Sequence, residues 1–183
     1  MARVYTRKGD DGTTSLLFGG RTSKGGELVD ALGDLDEAVS ALGLARSICA
    51  EPRICELLLR IQKELFVVSA DLATNPKHRD RLKPGISIVT ADAATQIEKE
   101  IDALVAEKPL EPVFLVPGTT QLEAAIDLAR TVVRRGERHV IQARNAGSLV
   151  TEHVQKYLNR VSDLLFVMGR HAVGDLPEPP SHD

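Results

Sequence analysis

The run Ile54-Cys-Glu-Leu-Leu-Leu-Arg-Ile-Gln-Lys-Glu-Leu-Phe-Val-Val-Ser-Ala-Asp-Leu72 decides the fold. Ile54, Leu57, Leu58, Ile61, Leu65, Val68 and Leu72 recur in steps of three and four, the spacing that lines one face of an α-helix. Upstream, a helical pattern begins at about Glu27. Downstream, residues 75–85 carry turn formers at both ends and no apolar face, so a surface loop is expected there. Thr90 is placed to cap a third helix running to about Glu107. After Pro109 and Pro112, Val113-Phe-Leu-Val-Pro117 reads as extended, and Thr120 with Glu123 makes a capping box for a fourth helix, which this reading starts just after Phe114. A last helix from about Val150 turns Val154, Leu158, Val161, Leu164, Leu165 and Met168 inward, and Leu176-Pro-Glu-Pro-Pro180 cannot continue it.

Roughly five helices, without alternating strand runs or a fixed repeat, predict an all-α chain folded as an antiparallel five-helix bundle. Glycines alternate with hydroxyls and charges over residues 1–26, which predicts an irregular N-terminal arm, flexible unless liganded. The bundle is expected over 27–173, and residues 174–183 are expected to be disordered. Together these make one domain, which suits 183 residues with 43% apolar and 27% charged side chains.

The net charge is −3, so a local row of arginines does not imply general affinity for nucleic acid. Cys49 and Cys55 lack metal-ligand spacing and read as free thiols of a reducing compartment. Residues 1–10 hold no apolar secretion core, and no stretch approaches the roughly 18 apolar residues of a membrane span, so a cytoplasmic location is expected.

The chemistry is concentrated in Arg130-Thr-Val-Val-Arg-Arg-Gly-Glu-Arg-His139. On a helix, Arg130, Arg134, Glu137 and Arg138 share an arc of roughly 100° beside the apolar arc of Ile126, Ala129, Val133 and Val140. Such a row suits an anionic ligand, although charge runs more often decorate a solvated face. Asn159, Arg160 and Asp163 add a second polar set at the edge of the last helix's apolar stripe. Asp34, Asp36 and Glu37 are equally readable as exposed groups or as partners for an arginine across a packed interface. The arm offers amides, hydroxyls and cations suited to a polyphosphate, yet it lacks the P-loop pattern. No Glu-x-x-His or His-Glu-x-x-His motif is present, so a bundle-centred metal site is not expected.

Taken together, the motifs resemble the ATP:cobalamin adenosyltransferases of the propanediol-utilisation type. The resemblance spans residues 3 to about 173. It rests on Tyr-Thr-x-x-Gly-Asp-x-Gly (Tyr5 to Gly12), Gly-Asp-Leu-Asp-Glu (Gly33 to Glu37), Phe-x-x-Pro-Gly (Phe114 to Gly118), Ala-Arg-x-x-x-Arg-Arg-x-Glu-Arg (Ala129 to Arg138) and Leu-Asn-Arg-x-Ser-Asp (Leu158 to Asp163). It implies a homotrimer with sites between subunits that moves the 5'-deoxyadenosyl group of ATP onto cob(I)alamin and releases triphosphate. By the same resemblance, Thr6, Arg7, Lys8, Gly9, Thr14, Ser15, Lys24, Arg134, Arg135, Gly136, Glu137, Arg138 and Asn159 would meet ATP. Phe114, Phe166, Asp36, Arg130 and Asp163 would meet the corrinoid. Arg134, Arg130 and Asp36 would be central to the reaction, with Asp36 and Arg130 pairing at the subunit interface. Mg2+ would arrive on the ATP phosphates with Glu137 as a candidate contact. A flavin-dependent reductase and an adenosylcobalamin-dependent mutase are the implied partners.

The chain departs from the family pattern in reading Asp36-Glu37-Ala38-Val39 where relatives usually carry Asp-Glu-Leu-Asn, in placing Arg7 where a lysine is usual, and in ending soon after Arg170. The alternative from another class is a non-catalytic carrier of corrinoid or nucleotide. A nucleic-acid binder is disfavoured because Asp127 and Glu137 interrupt the basic face and aromatics are few.

Overall fold

The computed structural model describes Tyr5 and residues 7–182. A hairpin of β1 (Thr13–Ser15) and β2 (Arg21–Ser23) precedes five helices: α1 (Glu27–Ser47), α2 (Pro52–Leu72), α3 (Ala93–Glu107), α4 (Gln121–Asn145) and α5 (Glu152–Ala172). A 3-10 turn, Pro76–Arg81, interrupts the connection between α2 and α3, where a plain loop was expected. Every residue of the predicted α2 stripe is buried, and so are the six predicted for α5. Pro52 opens α2, at a position where its missing N–H is not needed.

The tight connections at 48–51 and 146–151 turn α1 back against α2 and α4 back against α5. The most extensive helix contact is between α1 and α4, followed by α4 with α5 and α3 with α5. Gly136 lies on the first of these interfaces. It is buried against α1, where a Cβ in its place would lie 3.4 Å from Asp34 Cβ and 3.5 Å from a methyl carbon of Leu35. Gly136 faces the helix packing, not the row of arginines.

The boundaries show where local signals yield to packing. α3 starts at Ala93 with Asp92 at its cap, later than the predicted Thr90. α4 starts at Gln121, well past Phe114. Thr120 Oγ1 accepts from Glu123 N at 3.1 Å, as a capping box requires. The Glu123 carboxylate reaches instead to the amides of Gly118 and Thr119, at 2.7 and 3.1 Å. It is fully buried there and bonded to Arg170. The reciprocal half of the box is replaced because a buried carboxylate needs its charge compensated.

Neither chain end beyond the helices is as loose as expected. In the arm, β1 and β2 pair in antiparallel register with Thr14 opposite Thr22. The tail is hydrogen-bonded to the segment before α4, Val116 N donating to Pro179 O at 2.9 Å and Ser181 N to Phe114 O at 2.7 Å. The expectation of disorder there overlooked a strand-like pairing that proline permits, because only the carbonyls of Pro179 and Pro180 are available to it.

Candidate active site

Along α4, the expected arginines divide by what they touch. Arg130 Nε donates to Asp127 Oδ1 at 2.8 Å on its own helix. Arg135 turns toward α1, donating to Asp34 Oδ1 at 2.9 Å and to Glu37. The hydrogen bond it donates to Asp34, followed by the charges of Asp34 and Glu37, raises the guanidinium of Arg135 above its ordinary value. His139 Nδ1 stands 2.6 Å from the other oxygen of Asp34. Arg135, expected at ATP, thus bridges α1 and α4 within the chain. Among the described residues, Arg138 reaches the carbonyl of Arg134, at 3.2 Å, and no carboxylate. The Arg134 guanidinium is exposed and, among the described residues, bonds to no carboxylate.

Two cavities of about 500 Å³ each lie on this side of the bundle. The first has apolar walls, Ile101, Val105, Leu110, Phe166 and Val167, rimmed by Arg130, Arg134, Arg160 and Asp163. The second lies between α4 and α5 and is polar, lined by Glu137, Glu152, Gln155, Lys156, Asn159 and Arg160. Six of the expected residues beyond the arm, Arg130, Arg134, Asp163, Phe166, Glu137 and Asn159, line one or other cavity. Arg160 borders both, with Nε on Glu98 Oε1 at 2.7 Å and a terminal nitrogen on Asn159 Oδ1 at 2.7 Å. Its place between the cavities was not foreseen, although it lies in the same sequence motif as Asn159 and Asp163. A third cavity, of about 220 Å³, lies away from all the expected residues, under Tyr157 and the 85–93 segment. There burial pushes the Tyr157 phenol well above its ordinary range and keeps it a donor to Glu64, at 2.7 Å.

The arm forms a separate group. Arg21, unmarked by any motif, holds it together by donating to Thr13 Oγ1 from Nε at 2.7 Å, to Asp11 at 3.0 Å and to the carbonyl of Lys8. Lys24 Nζ donates to Gly9 O at 2.7 Å. The hairpin loop docks on the end of α2, with Leu17 N on Ala73 O at 2.8 Å and Asn75 Nδ2 on Gly19 O at 2.9 Å. Lys8, Gly9 and Lys24 are thus joined beside Thr14 and Ser15 of β1, and neither these nor Arg7 line either large cavity. Thr6 lies outside the described residues.

Phe114 is 85% exposed, and Phe166 is 37% exposed on the wall of the apolar cavity. Asp36 is exposed on α1 and makes no ion pair with Arg130 inside the chain. Ala38 is fully buried, so the departure from the family's leucine at that position concerns packing. Among the described residues, no group of three or more His, Cys, Asp or Glu could hold a metal ion.

The family profile described as Cobalamin adenosyltransferase matches residues 4–172. The chain belongs to this family. It is 37% identical to a corrinoid adenosyltransferase of Citrobacter freundii over 93% of this chain and 94% of that one. It is 40% identical to a corrinoid adenosyltransferase of Mycobacterium tuberculosis over 96% of this chain and 91% of that one. Its fold superposes with a TM-score of 0.88 on a PduO-type ATP:corrinoid adenosyltransferase variant from Lactobacillus reuteri complexed with cobalamin and ATP. That pair is 28% identical, with 99% of this chain and 97% of the other covered. The adenosyltransferase described here moves the adenosyl group of ATP to cob(I)alamin. Among its described residues, no helix is long and apolar enough to cross a membrane.

Proposed function

We propose that the apolar cavity receives the corrinoid, that the polar cavity beside it receives the triphosphate of ATP, and that the site is completed by the arm of a neighbouring subunit in a homotrimer. The observation that carries this reading is the pairing state of the arginines. Arg130, Arg135 and Arg160 each have a carboxylate partner, whereas Arg134 stands at the cavity rim without one. A guanidinium left unneutralised at the edge of an apolar cavity is suited to an incoming anion.

The reaction asks little acid–base work of the protein. Cobalt(I) donates its electron pair to the ribose 5'-carbon, the Co–C bond forms, and the C5'–O bond breaks with its electrons leaving on triphosphate. Positioning and charge stabilisation therefore dominate. Arg134 and Arg138 stabilise the charge growing on triphosphate, Asn159 and Glu137 fix the nucleotide's orientation, and Phe114 and Phe166 exclude water from the cobalt. Magnesium carried by ATP would neutralise part of the phosphate charge. Asp36, exposed on α1, is the residue we assign to pair with Arg130 of the adjacent subunit. The free state of Cys49 and Cys55 supports a cytoplasmic setting. A reductase delivering cob(I)alamin and a mutase accepting the product complete the assignment.

Subunit complementation tests the shared site. Lys24→Ala disables the arm and Arg134→Ala disables the helix face, and each homotrimer should be nearly inactive. Each mixed trimer should recover about one of its three sites, because a head-to-tail interface joins an intact arm to an intact face once in every such ring. No recovery in trimers shown by mass to be mixed would mean that arm and face act within one subunit. Formation of adenosylcobalamin by the wild type separates the transferase from the carrier.

A further inference from the structure

Arg170, in the last turn of α5, is 4% exposed and bonds to two carboxylates on different segments, Glu123 at the start of α4 and Glu178 in the tail. Glu123 in turn accepts from the amides of Gly118 and Thr119, which end the segment carrying Phe114. Glu178 begins the stretch of tail that pairs with that same segment, with Leu115 opposite Pro180. Ser181 N donates to the carbonyl of Phe114 itself. The Arg170 guanidinium also lies 5.6 Å from the ring centre of Phe166, one helical turn earlier. A narrow cavity of about 40 Å³ is walled by Leu115, Phe166, Arg170 and Glu178.

We infer that Arg170, Glu178 and Ser181 are positioning residues, through which the C-terminal tail acts as a strap holding Phe114 at a fixed place relative to Phe166. An 85% exposed phenylalanine on an extended segment has little packing of its own to fix it. Here its backbone is held from one side by Glu123 and from the other by the tail, and Arg170 connects the two. The inference rests on the proposed role of the phenylalanines at the corrinoid.

The test uses the full-length enzyme and leaves the buried Arg170 and Glu123 intact, since their loss would unfold the chain's end. Ser181→Pro removes the donor to Phe114 O in a run that is already extended and proline-rich, and Glu178→Gln weakens the anchor. Each should lower kcat/KM for cob(I)alamin by about fivefold, the scale of one lost hydrogen bond, with the KM for ATP unchanged and, for Ser181→Pro, the melting temperature unchanged as well. Phe114→Ala should lower the same parameter by more, and Ser181→Pro added to Phe114→Ala should cost nothing further. Wild-type kinetics in both tail variants alongside an impaired Phe114→Ala would overturn the strap. So would an equal Ser181→Pro loss in both backgrounds, or a parallel rise in the KM for ATP. Unimpaired corrinoid kinetics in Phe114→Ala would instead remove the phenylalanine reading on which the strap depends.

Discussion

Arg134 and Arg135 are adjacent in sequence and opposite in circumstance. One helical step of 100° takes Arg135 into the carboxylates of α1 and leaves Arg134 at the cavity rim. Arg134→Ala should lower kcat by on the order of 100-fold while leaving thermal stability unchanged, because an exposed, unpaired side chain contributes little to folding and much to a developing anion. Steady-state kinetics beside a melting curve measure both. Residue-scale chemistry also sets the behaviour of the thiols. Burial, then the nearby Cys55, pushes the Cys49 thiol up to about 11. Because the raised value favours the neutral form, iodoacetamide should alkylate Cys49 more slowly than a free thiol at about pH 8 and catch up only as the pH rises toward that value. Peptide mapping after timed quenching would detect the difference, and equal rates at pH ~8 would contradict the burial.

At the scale of elements, Gly136 sets how closely α1 and α4 approach. Gly136→Ala should be nearly neutral, since the gain in helix propensity of about 1 kcal/mol opposes a contact of 3.4 Å. Gly136→Leu should destabilise the fold by about 1–3 kcal/mol by forcing the helices apart, as measured by urea unfolding. The helices themselves were legible because stripes such as Ile54 to Leu72 depend only on local periodicity. Which arginine meets which carboxylate was not, because Arg135 and Asp34 are 101 positions apart and only the packing of two helices joins them. The hairpin escaped notice for a related reason. Strands as short as Thr13–Ser15 carry no alternation to read, and the side chain that holds them, Arg21, belongs to no motif. Asn159 and Asp163 lie in a quoted motif, Phe166 was placed by the resemblance alone, and the cavities bring the three to one side of the bundle.

On the scale of the whole molecule, Leu44, Leu59, Phe66 and Leu128 remain exposed on the helices, alongside a docked arm that reaches neither large cavity of its own chain. Apolar side chains of this size on several helices suit burial between subunits. If assembly covers them, the apparent melting temperature should rise with protein concentration, whereas a monomer would melt at one temperature throughout a dilution series. The α1/α4 contact carries a different consequence, for the making of the protein. At synthesis rates of 5–20 residues per second, α1 leaves the ribosome on the order of 5–20 s before the helix that covers Leu35, Ala38 and Leu42. During that interval the apolar face that α1 gives to α4 in the finished fold has only helices made earlier to meet, and α2 is the one that contacts α1 most there.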